Sequence, residues 1–291
     1  MPKVSPDFNH IVVAAHPGIL DAEQQVKKIA STIEAQNIQV SSGLFQEDKI
    51  SRLVENGEAD LLIALGGDGT MLRAGNLCGP NLVPILGINL GNFGFLTEVE
   101  LRQWEDILPR LLASDYWIEH RMMLRAEQWR DGEMLGTWEV LNEIVVTRGH
   151  IVRPVHLTTK VDDRFLTTYV ADGMIASTAT GSTAYALAAG GPILPPELRN
   201  ILIVAIAPHL SVDRAVVLPE GATVSITVHT DHQAVLSPDG QLPVELEDGD
   251  RVDAYASEHS AQFIRFQDPG YFFRNLTLHM SQNPSARNSD E

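Results

Sequence analysis

The chain has 291 residues, 44% of them hydrophobic, which is enough for two globular domains, each with its own core. Its formal net charge of -17 argues against a nucleic-acid partner, which needs clustered Lys and Arg, yet backbone N–H groups can still hold a small anion. A single cysteine, Cys78, rules out an intrachain disulfide; with no signal-peptide order in "MPKVSPDFNH" and no apolar run of ~18 residues, a cytoplasmic protein without a membrane partner is expected.

Over residues 1–118 apolar runs alternate with helical periods. "IVVAA" (11–15) reads as a buried strand. From Asp21 to Asn37, the residues Ala22, Val26, Ile29, Ala30 and Ile33 fall at helical spacing, with Asp21 as the N-cap. "LLIAL" (61–65) and "LVPILGI" (82–88) read as two more strands. Leu101, Trp104, Ile107, Leu108 and Leu111 then share one helix face, with Pro109 counting against it. This alternation predicts an α/β domain with a largely parallel sheet.

From about Ile118 to residue 269 the texture changes. "KVDDRFLTTYV" (160–170) reads as strand with a turn at its Asp pair, and "STAYALAAG" (182–190) as a short Ala-rich helix. "ATVSITVHT" (222–230) sets Val224, Ile226 and Val228 on one face, and "AQFIRF" (261–266) is similar. Many short strands with few helical periods predict a β-rich, sandwich-like domain over 119–269. The polar end "SQNPSARNSDE" has no apolar face and is expected to be disordered.

Three stretches carry chemistry. After the strand 61–65, Gly66-Gly67-Asp68-Gly69-Thr70 leads into a helical run, a strand–turn–helix whose glycines admit a phosphate to the helix N-terminus. The bland alternative is a tight turn with a capping aspartate. In "DGMIASTATGSTAYALAAGGPI" (172–193), Ser177, Thr178, Thr180, Ser182 and Thr183 crowd around Gly181, either to meet the polar edges of a ligand or as an ordinary Ser/Thr-rich connection. In "LNEIVV" (141–146), Asn142 and Glu143 interrupt an apolar strand, which points to a bound ligand or to a strand edge. The ten histidines show no metal-ligand spacing.

Together and in this order, these stretches resemble the bacterial NAD kinase family. "GGDGT" (66–70) alone is shared with diacylglycerol and sphingosine kinases and, more loosely, with 6-phosphofructokinases. "GINLGNFGFLTE" (87–98), "LNEIVV" and the 172–193 stretch are far more specific. The likeness runs from about Ile63 through Pro219 and is weaker at "SPDGQ" (237–241). It implies an α/β N-terminal domain, a β-rich NAD-binding domain, and a chain end, about 270–291, that returns to the first.

Carried over by position, Asp68 matches the catalytic base, and Gly66, Gly67, Gly69 and Thr70 the phosphate-contacting turn, with Gly69 also against NAD. Phe95 matches the position near adenine. Asn142 and Glu143 match residues that hold the ribose hydroxyls and the adenine region. Asp172, Thr180, Thr183, Ala184 and Tyr185 match positions around the dinucleotide, with the tyrosine ring on adenine. Ala179 and Ala215 stand where proline is usual, and Asn92 where a basic residue is common.

The implied reaction moves the γ-phosphoryl of ATP onto the adenosine-ribose 2′-hydroxyl of NAD. Mg²⁺ is expected to be held mainly by phosphates and water, with no metal ligands assigned on the chain. The family also implies a homo-oligomer, dimer or tetramer. Two rivals are a lipid kinase of the same superfamily and a silent NADP sensor. The absence of a basic amphipathic segment counts against the first, and the intact "GGDGT" against the second.

Overall fold

The computed structural model describes residues 8–18, 21–91, 94–209, 214–274 and 276. Asn92 and the polar end 281–291 lie outside the described residues. The chain forms two compact units, one up to His120 together with residues from Ala261 onward, the other from Arg121 to Ser260.

The first unit contains β1 (His10–Ala15), α1 (Ala22–Glu34), β2 (Gln39–Leu44), α2 (Asp48–Glu55), β3 (Leu61–Leu65), α3 (Asp68–Cys78), β4 (Ile85–Asn89), β5 (Val99–Glu100) and α4 (Trp104–Leu112). Strands β2, β1, β3 and β4 pair in that order, all parallel. Every residue of β1, β3 and β4 is buried, as expected of parallel strands covered on both faces. The chain leaves β1 towards β2 on one side and continues from β3 to β4 on the other. The switch point of the sheet therefore lies between β1 and β3, and ligands of such sheets bind beyond the carboxyl ends there. The Gly66–Thr70 turn begins at the carboxyl end of β3.

β6 (Trp117–Arg130) leads out of this unit. The second unit then adds β7 (Glu133–Val140), β8 (Glu143–Arg148), β9 (Val155–Val161), β10 (Arg164–Ala171), β11 (Gly173–Ser177), α5 (Tyr185–Ala188), β12 (Asn200–Ile206), β13 (Val216–Pro219), β14 (Thr223–His229), β15 (Ala234–Pro238) and β16 (Val244–Leu246). β17 (Arg251–Arg265) brings the chain back, and its Phe263 pairs in parallel with Ile85 of β4. Within the second unit one antiparallel sheet runs β13-β12-β11-β8-β15-β16. A second set runs β10-β9-β14-β17, with β6 paired to β17 and β7. One apolar cluster draws Ile144, Val146, Met174 and Ala176 from the first sheet and Leu157, Ile226 and Val252 from the second, which makes a sandwich. Among the described residues no helix is long and apolar enough to cross a membrane.

Several local expectations change. Asp21 sits at the N-cap of α1 but in a left-handed conformation, and its side chain makes no capping bond. The strand expected over 82–88 starts only at Ile85, because Leu82 adopts a positive φ of 56° in the turn after α3. Pro109 lies inside α4, which keeps Trp104, Leu108 and Leu111 buried along one face. The stretch 160–170 is a hairpin turning at Asp162 and Asp163, both at positive φ, as a two-residue hairpin turn needs. The helix expected over 182–190 shrinks to a 3₁₀ turn, Gly181–Thr183, followed by the four residues of α5. β2 and α2 had no expectation at all.

Candidate active site

The residues singled out in the sequence fall into two groups, one on each unit. In the first unit, Asp68 opens α3 just after the Gly67 N-cap. Its carboxylate does not cap the helix. It reaches instead across to the loop after β4, where Oδ2 accepts from the Phe95 N–H at 2.9 Å and Oδ1 from the Leu96 N–H at 3.0 Å. The approach is close enough that a Cβ on Gly94 would run into Oδ1 and push the carboxylate off these two donors. A carboxylate offers about four lone-pair sites, and two remain for other partners.

Around Gly67 and Gly69 the reverse holds. A Cβ at either would meet nothing within 4 Å, so packing does not require glycine. What glycine does supply is backbone N–H groups that a bulky anion can approach, at the first turn of a helix where they lack intrahelical partners. Phe95, half-buried, has its ring centroid 6.4 Å from that of Phe272.

The second group is built on β8. This strand lies between β11 and β15, so Glu143, its first residue, is not at a sheet edge, and Asn142 directly precedes it. Both are buried, and Asn142 Oδ1 and Glu143 Oε2 have no hydrogen-bond partner among the described residues. Burying unpaired acceptors is costly, and here two of them fall on adjacent residues. Burial, reinforced by the negative charge of Asp239, pushes the Glu143 carboxyl up to about 8, against an opposing hydrogen bond from the Tyr185 backbone N–H.

Asp239 was not singled out in the sequence. Its Oδ2 accepts from Leu141 N–H at 2.7 Å, and its Oδ1 from Asn142 and Glu143 N–H, both at 2.9 Å. It thereby fixes the backbone from which both side chains project. Arg121, 2% exposed, was also missed; its Nη1 donates to Thr180 Oγ1 at 3.2 Å.

The hydroxyls of the Ser/Thr-rich loop are mostly taken up by backbone carbonyls, its own and those of Leu141 and Asn142. Ser177 Oγ donates to Asn142 O, Thr178 Oγ1 to Leu141 O and Ser182 Oγ to Ala179 O, all three side chains being fully buried. Thr183 Oγ1 bonds to Thr180 O. The loop thus presents Ala184 and the 45% exposed Tyr185 beside the Asn142–Glu143 segment rather than a row of free hydroxyls. Asp172 stands apart from them. It precedes β11, pairs with Arg148 Nε at 3.1 Å, and lies about five residues, or ~16 Å of strand, from Ser177.

Residues 11–116 match the model of the ATP-NAD kinase N-terminal domain, and residues 141–266 that of the ATP-NAD kinase C-terminal domain. The chain belongs to the NAD kinase family. It is 38% identical over 258 residues to the NAD kinase of Chloroflexus aggregans, covering 88% of this chain and 93% of that one. It is 43% identical over 234 residues to the NAD kinase of Moorella thermoacetica, covering 80% and 74%. Among solved structures, an Archaeoglobus fulgidus NAD kinase in complex with ATP superposes with a TM-score of 0.73 at 25% identity, covering 93% of this chain and 98% of that one. A yeast NADH kinase complexed with NADH gives 0.83 at 24%, covering 97% and 90%, a likeness of fold.

The chain is accordingly a phosphotransferase that phosphorylates NAD with ATP to give NADP. No three His, Cys, Asp or Glu side chains among the described residues converge on a common point.

Proposed function

We propose that Asp68 accepts the proton of the ribose 2′-hydroxyl of NAD as the γ-phosphoryl of ATP is transferred to it. The observation that carries this reading is the double grip of the Phe95 and Leu96 N–H groups on the Asp68 carboxylate. A general base has to be held within hydrogen-bond reach of one proton, and phosphoryl transfer depends mainly on positioning and charge stabilisation. In the Gly66–Thr70 turn the N–H groups of Gly67 and Gly69 receive donor phosphate, while those of Gly66 and Thr70 are taken by Ile88 O and Gly67 O and these two residues frame the site; Gly69 is also close to NAD. Asn142 Oδ1 and Glu143 Oε2 accept hydrogen bonds from the nucleoside. Tyr185 and Phe95 offer ring faces to the base, while Thr180, Thr183, Ala184 and Asp172 border the dinucleotide.

A Mg²⁺ ion brought in on the triphosphate, held by its phosphates and water, would supply charge neutralisation. The single cysteine, buried as a thiol, fits a cytoplasmic protein. Phe165, 65% exposed on the sheet-edge strand β10, together with Leu166, supports a homo-oligomer. The test separates binding from transfer in the purified chain. NAD affinity by calorimetry should depend on Asn142 and Glu143, and single-turnover transfer from ATP on Asp68. An Asp68→Asn chain that folds but no longer binds NAD would reassign the carboxylate to binding.

A further inference from the structure

The loop that grips Asp68 is itself gripped from the other side. Leu96 gives its N–H to Asp68, and its C=O accepts from Arg265 Nη1 at 2.9 Å. Arg265 ends β17 and is 1% exposed. Its Nε donates to Glu119 Oε2 at 2.8 Å, and Glu119, 3% exposed, also accepts from the Tyr271 hydroxyl at 3.1 Å. The guanidinium lies 5.2 Å from the ring centroids of both Phe263 and Tyr271. Nearby Glu98, also buried, accepts from the Phe266 and Gln267 N–H groups, which ties the same loop to the strand that delivers Arg265.

Such a cluster is a poor way to gain stability. Desolvating a cation and two carboxylates costs several kcal/mol per ion, and apolar side chains of similar volume often serve a core as well. What a leucine or methionine could not do is donate simultaneously to Glu119 and to a carbonyl in an irregular loop. A lysine could not reproduce it either, because it lacks the planar fork.

We propose that Arg265 is a positioning residue for phosphoryl transfer. Anchored on Glu119, it fixes Leu96 through its carbonyl, and thereby the two N–H donors that hold the Asp68 carboxylate in place. The proposal rests on the reading of Asp68 as the base. It therefore predicts a kinetic signature that a core residue would not give.

The experiment is a double-mutant cycle of Arg265→Lys and Asp68→Asn in the full chain, read as kcat with saturating ATP and NAD well below the melting temperature. Arg265→Lys alone should lower kcat at least tenfold with little change in the KM for ATP. In the Asp68→Asn background it should have almost no further effect, because the group it positions is already gone. Ile33→Val, a change to a fully buried core residue of α1 outside this cluster, serves as the structural control and should keep kcat within about twofold.

Equal losses in both backgrounds, or a wild-type kcat for Arg265→Lys, overturn the role of Arg265. A wild-type kcat for Asp68→Asn overturns instead the reading beneath it. A measurement on the unaltered chain decides the matter even if Arg265→Lys does not fold. The Phe95 and Leu96 amides should exchange with solvent as slowly as those of β3, and rapid exchange there means that nothing is being held.

Discussion

Asp68 and Asp239 treat the backbone alike and differ in what surrounds them. Each is an aspartate beside glycine, and each accepts N–H groups from a distant segment, two for Asp68 and three for Asp239. Asp239 also returns its own N–H to Glu143 O at 2.9 Å, so it is stitched to the segment that it shapes. That segment ends in two buried acceptors without partners, which is how a binding surface looks. Asp68 sits at the start of a helix, next to glycines with open space above them. There the carboxylate itself is the group left available. On the proposed reading, the same bonding pattern makes one aspartate a scaffold for side chains that bind and holds the other ready to react.

The largest test of this contrast is Asp68→Asn. The Phe95 and Leu96 N–H groups each meet a different oxygen, and an amide would put an NH₂ that only donates in place of one of them, so the grip cannot be kept as it stands. Loss of the base should lower kcat by ~10²–10⁴, with NAD affinity nearly kept and a modest fall in melting temperature from the loosened loop. Single-turnover transfer, with affinity measured separately by calorimetry, checks it. A near wild-type rate would make Asp68 a scaffold like Asp239.

Asp239→Asn should give the opposite profile. At least one of the three N–H groups it receives would face an NH₂, at a cost of ~1–3 kcal/mol. NAD affinity should fall by roughly 5- to 150-fold, while kcat at saturating NAD stays within a few-fold. If kcat falls as far as affinity does, the division between scaffold and reactive group fails.

The sequence made one side of this comparison visible and hid the other. The Gly66–Thr70 turn stands out because an apolar strand runs straight into it. Asn142 and Glu143 stand out because they interrupt an apolar run, and the interior place of β8 removes the strand-edge alternative for Glu143. Asp239 reads locally as the third residue of an ordinary Ser-Pro-Asp-Gly turn, and its partners are 96 to 98 residues away. Arg265 is 169 residues from Leu96 and 146 from Glu119, so no periodicity within a strand or helix reports the clamp. Its one local signal is a charge inside the apolar run "AQFIRF". Edge strand β2, "QVSSGL", is half-buried and has little alternation, which is why it left no signature. The hydroxyls of 177–183 were visible as a cluster, but their direction was not, since it depends on which carbonyls the fold brings against them.

A third test concerns what the binding segment presents. Tyr185→Ala should weaken NAD binding by ~1–3 kcal/mol, the range found when bases lose an aromatic partner, whereas Tyr185→Phe should leave it nearly unchanged. The Tyr185 N–H that bonds to Glu143 is backbone and survives both changes. Calorimetric affinities check it, and equal losses for the two variants would mean that the hydroxyl, not the ring, meets the ligand.

The smallest effect expected is a dependence on pH that only the Asp239 side of the comparison should show. Burial and the charge of Asp239 push the Glu143 carboxyl from its ordinary 4.5 up to about 8 in the folded chain. The folded state therefore holds a proton that the unfolded chain gives up at lower pH. Stability from this group is fully present below about 4.5 and is lost as pH rises through about 8. Without ligand, the melting temperature should fall across that window by a few degrees more in the wild-type chain than in Glu143→Gln, which cannot ionise. NAD should act in the opposite direction, because ribose hydroxyls that donate to Glu143 Oε2 favour its ionised form. Binding near neutral pH should then release part of a proton, seen in calorimetry as a heat that varies with the ionisation enthalpy of the buffer, and Glu143→Gln should abolish most of it. Should wild type and Glu143→Gln show the same pH slope and the same proton release, Glu143 is already ionised in the free chain. Its unpaired oxygen would then not belong to a neutral acid awaiting a donor.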